Sequence, residues 1–82
     1  MLNMNQQIST KFIGENVSLL LRVKDIRPYQ LAYVLKQSPS NISGKLRGKV
    51  SWSAVDIAKT AEYLDVSSDQ LLGLKPLTVT VD

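Results

Sequence analysis

Ser40 and Asn41, followed at short intervals by Lys45, Arg47 and Lys49, set small hydrogen-bonding side chains just ahead of cations. Asparagine can pair bidentately with adenine, and serine reaches either kind of base edge. Lysine and arginine neutralise phosphate charge irrespective of sequence. Ser40, Asn41 and Lys45 are therefore the candidates for reading bases. Arg47 and Lys49 flank a glycine, and with Lys36 they are the candidates for phosphate contact. Tyr29 and Ser38 add hydroxyls that could donate to a phosphate, Ser38 while also capping a helix. Each has a plainer reading: exposed polar residues at 40 and 41, a solvated charge at 47 and 49, amphipathic cover for Tyr29 and Tyr33, or a Lys45 stem packed on the core.

These side chains are useful only if a narrow helix end presents them. Pro28 opens a short helix, since proline is tolerated in the first helical turn, with Leu31, Ala32 and Leu35 as its buried stripe. Ser38-Pro39 starts the next, a capping hydroxyl followed by proline, with Ile42 and Leu46 inward and Gly48 as terminator. The expected elements are helices over 10–24, 28–36, 38–47, 53–64 and 67–73. The last two begin with capping-box and staple patterns: Ser53 with Asp56 and Trp52 with Ile57, then Ser67 with Gln70 and Val66 with Leu71. Trp52 is thereby assigned to packing, while Asp56 and Glu62 read as helix-surface acids. The expected core is Ile13, Val17, Leu20, Leu31, Ala32, Leu35, Ile42, Leu46, Ile57, Ala61, Leu64 and Leu71.

Composition narrows the class. The 82 residues make one domain, here with a frayed arm (1–9), a helical body (10–74) and a tail (75–82). The net charge of +3 is unevenly spread: residues 1–50 carry eight basic groups against Glu15 and Asp25, and 26–50 contain no acid. A one-signed stretch suggests a polyanion-facing surface. Histidine and cysteine are absent, and no Gly-rich phosphate loop or metal-ligand cluster stands out. No enzyme, cofactor, metal site or small-molecule substrate is expected. The longest apolar run is Leu19-Leu20-Leu21, so no membrane span is expected, and the default compartment is the cytoplasm. The tail Leu77-Thr78-Val79-Thr80-Val81 alternates as a strand does. It is either a dimerisation strand or an unstructured stub.

The chain resembles the phage repressor and Cro-type helix-turn-helix family over about residues 13–73. The likeness is carried by Ile13-Gly14-Glu15-Asn16-Val17, Gln30-Leu31-Ala32, Ser40-Asn41-Ile42-Ser43, Leu46-Arg47-Gly48-Lys49 and, most specifically, Ala61-Glu62-Tyr63-Leu64-Asp65-Val66-Ser67-Ser68-Asp69-Gln70-Leu71-Leu72. It implies an all-α, five-helix, lambda-repressor-like domain whose second and third helices form the helix-turn-helix. It implies a sequence-specific transcriptional regulator, a repressor or Cro-like protein in a bacterial host, bound as a homodimer to a two-fold operator in double-stranded DNA. An antitoxin-type autorepressor and a helix-turn-helix used only for protein contact remain the alternatives. The sequence departs from the pattern at Pro28, where the family usually has a glutamine that buttresses the recognition helix. It departs again at Lys36, the turn's usual glycine, and at Pro39 and Gly44, which have no reading group.

Overall fold

A computed structural model describes residues 10–77; the strand expected within 75–82 falls mostly outside that range. Among the described residues the chain is all helix: α1 (Thr10–Val23), α2 (Pro28–Leu35), α3 (Pro39–Leu46), α4 (Ala54–Leu64) and α5 (Ser68–Leu72). Helices α1 and α3 pack together, as do α2 and α3, α2 and α4, α1 and α5, and α4 and α5. Helix α3 is thereby held from two sides.

Each start follows from its capping chemistry. Ser38, Ser53 and Ser67 accept hydrogen bonds from the amides of Asn41, Asp56 and Gln70 at 3.1, 3.0 and 3.1 Å. Asp56 and Gln70 reach back to the amides of Ser53 and Ser67, both at 2.9 Å. Gln30 does the same for Arg27 at 2.7 Å, ahead of Pro28. The ends share one device. The chain turns left-handed at Asp25, Lys36, Gly48, Asp65 and Gly73. The following amides then reach back to Leu21, Ala32, Gly44, Ala61 and Asp69, at 2.8 to 3.0 Å. This is the Schellman arrangement, which satisfies carbonyls that would otherwise lack partners. Lys36 thus lies just beyond α2 as its cap, whereas the expected helix had included it as its last residue.

The core comprises Ile13, Val17, Leu20, Leu21, Leu31, Ala32, Leu35, Ile42, Trp52, Ala61, Leu64 and Leu71, with Leu46 and Ile57 packed at its edge. Gly14 lets α1 approach α3 closely: a Cβ there would lie 2.6 Å from the carbonyl oxygens of both Lys45 and Leu46. Not every apolar residue is consumed by the core. Leu19 and Val23 on α1, Val55 on α4 and Leu74 after α5 remain exposed.

Candidate nucleic-acid interface

Helices α2 and α3, joined by Lys36-Gln37-Ser38, form the helix-turn-helix. Residues three, four and seven apart share a helix face. Ser40 and Ser43 fall on one face of α3, opposite Ile42 and Lys45, and Arg47, the C-cap, follows Ser40 at the same spacing; Ser40 and Arg47 are exposed and Ser43 half-exposed. Lys36 and Ser38 in the turn before α3 and Lys49 just after it are exposed as well. Tyr29, in the first turn of α2, is 64% exposed. Ser38 Oγ accepts the Asn41 amide and keeps its own proton for donation. Ser43 was not among the sequence candidates, although its spacing from Ser40 and Arg47 marks it.

Lys45 does not face outward. Its expected role in base reading is corrected: it lies on the inner side of α3, and its ammonium pairs with Asp56, the two side chains being 6% and 7% exposed. Asp56 likewise is not a surface acid. The cause is the position of Lys45 three residues after Ile42, which turns its stem inward, where the N-terminus of α4 meets it. Beyond capping Ser53, Asp56 accepts from Gln37 Nε2 at 2.7 Å. Burial would raise its pKa, but hydrogen bonds from Lys45, the Ser53 amide and Gln37, with the Lys45 charge, outweigh burial and hold the carboxyl below its ordinary range. Trp52 is buried as well, its Nε1 donating to the Lys45 carbonyl at 3.1 Å.

Asn41 stands between this interior and the surface. It is half-buried, and its Nδ2 donates to Gln37 Oε1 at 2.7 Å. Gly44 does not lack a side chain idly: Val50 folds over it, and a Cβ at 44 would meet Val50 Cγ2 at 2.7 Å. The outward-facing part of α3 is therefore its first turn plus Ser43, with Arg47 at its cap.

Among the described residues, no group of three or more His, Cys, Asp or Glu side chains could hold a metal. No described helix is long and apolar enough to cross a membrane.

A serine-tipped helix mounted on a second helix by a tight turn makes this a small helical domain of helix-turn-helix form, like those that bind DNA. The chain belongs to the BetR domain family, whose model matches residues 10–81. No curated protein and no solved structure matches the chain.

Proposed function

We propose that this protein is a sequence-specific DNA-binding regulator, of phage-repressor or Cro-like type, that occupies an operator through α3. The observation that carries this reading is the outward face of Ser40 and Ser43 with Arg47 at the cap, set within an acid-free stretch of sequence that also holds the exposed Lys36 and Lys49. Ser40 and Asn41 read base edges, with Ser43 the third reader in place of Lys45. Tyr29, Lys36, Ser38, Arg47 and Lys49 hold phosphates. The protein works without catalysis, in the cytoplasm of a bacterial cell. A domain this small reads few base pairs, so it acts on DNA as a homodimer.

Selection of bound sites from random duplex DNA, followed by gel shifts at several salt concentrations, tests the reading. An enriched sequence with two-fold symmetry is the expected result. Arg47→Ala should weaken binding to all sequences alike and lower the salt slope by about one. Binding to no duplex, or binding indifferent to salt, would leave a domain used for protein contact.

A further inference from the structure

Asparagine and glutamine amides carry a donor at one end and an acceptor at the other. A free asparagine can present either end to a base. Asn41 is not free. Its Nδ2 donates to Gln37 Oε1 at 2.7 Å, and Gln37 Nε2 donates to Asp56 Oδ1 at 2.7 Å. The polarity of this relay is set at its inner end. An ionised carboxylate only accepts hydrogen bonds. Turning Gln37 around would aim its oxygen at Asp56 and leave two acceptors face to face. Lys45 and the Ser53 amide, both bonded to Asp56 Oδ2, keep the carboxylate in place and charged. Gln37 must therefore offer its oxygen to Asn41, and Asn41 must turn its nitrogen toward Gln37.

We propose that Gln37, held by Asp56 and Lys45, is a positioning residue that fixes the orientation of the Asn41 amide and so sets which base Asn41 accepts. The inference rests on the reading of α3 as the DNA-reading helix. With one N–H committed to Gln37, Asn41 presents Oδ1 and its second N–H. That pair matches N6–H and N7 of adenine and sets acceptor against acceptor at O6 of guanine. The buttress that the family resemblance would place at position 28 is supplied here from the turn.

The experiment compares wild type, Gln37→Met, Asn41→Ala and the double variant on selected sites differing only by adenine or guanine at one position. Wild type should prefer adenine by roughly 5- to 100-fold at the position Asn41 reads. Gln37→Met should lose most of that preference while keeping its affinity for unrelated DNA. It should change nothing further in the Asn41→Ala background. Without DNA, the side-chain amide signals of Asn41 in 15N NMR should shift and exchange faster with solvent in Gln37→Met. Gln37→Ala serves as a second variant should Gln37→Met fold poorly. Unchanged Asn41 amide signals, or an equal loss on every sequence, would overturn the proposal. Wild-type protein that binds no DNA would defeat the functional reading instead, and the amide signals would still decide whether Gln37 orients Asn41.

Discussion

Lys45 of α3 and Asp56 of α4 form an ion pair closed off from solvent, the one charge on the helix proposed to read DNA and the other at the N-terminus of the helix that supports it. The two partners are not equivalent. Asp56 has hydrogen bonds from Gln37 and the Ser53 amide as well as from Lys45. Among the described residues, the Lys45 ammonium pairs with Asp56 alone.

Removing the acid should therefore cost more than removing the base. Asp56→Ala leaves a buried ammonium unpaired and should cost about 3–5 kcal/mol. Lys45→Met keeps the stem's packing and leaves Asp56 with two donors, so its cost should be smaller. Urea unfolding of both variants gives the comparison, and equal losses would refute the asymmetry.

The same carboxylate dictates a pH response. Its pKa is lower in the folded chain than in the unfolded one. The folded state then binds fewer protons there, so Asp56 contributes stability above the ordinary aspartate value of about 4. That contribution fades as pH falls below this value through the lowered folded one. Thermal unfolding between pH 6 and pH 2 should show Asp56→Asn losing less stability with acid than wild type.

Lys36 occupies a left-handed conformation, φ 57°, that strains a residue with a Cβ. Lys36→Gly should stabilise the fold by roughly 1 kcal/mol. It should also weaken DNA binding, because an exposed cation beside α3 is lost. A higher Tm with unchanged salt dependence would remove Lys36 from the phosphate contacts.

Gly14, facing α3 from α1, and Gly44, beneath Val50 on α3, should differ in tolerance. Gly14→Ala drives a methyl against two backbone carbonyls and should cost about 1–3 kcal/mol, as overpacking typically does. Gly44→Ala meets only the Val50 side chain, so pairing it with Val50→Ala should restore most of any loss. Denaturant midpoints for both single variants and the double variant check this.

Thr60 Oγ1 is buried on α4 and has no hydrogen-bond partner among the described residues. Replacing an unsatisfied hydroxyl by a methyl of the same shape removes a desolvation cost. Thr60→Val should be neutral or stabilising, and a loss above about 1 kcal/mol would reveal a partner for the hydroxyl.

Much of the scaffold was legible because helix boundaries are local chemistry. Ser53 with Asp56 and Ser67 with Gln70 announce their helices within four residues, and both capping boxes form. Trp52 was legible as a packing residue from its place just before Ser53. The interior of the interface was not legible in this way. Asp56 reads as an ordinary capping acid, since nothing within its own helix shows that α2 and α3 will cover it. Lys45, Gln37 and Asp56 are brought together across 11 and 19 positions by the packing of three helices. A lysine on the Ile42 side of α3 was the available hint, because a cation at an inward position needs an acid from elsewhere.

Gly14 seats α1 directly on the backbone of α3, while Val50 fills the space above Gly44 on the same helix. Seated on α1 at its backbone and packed against α2 as well, α3 has little room to tilt or rotate as it enters a groove. On the functional reading proposed above, the mismatch between helix and groove must be absorbed by the duplex. Sites of equal direct contact should then be ranked by how cheaply they bend, with pliable TA and CA steps favoured at positions the protein never touches and stiff A-tracts disfavoured.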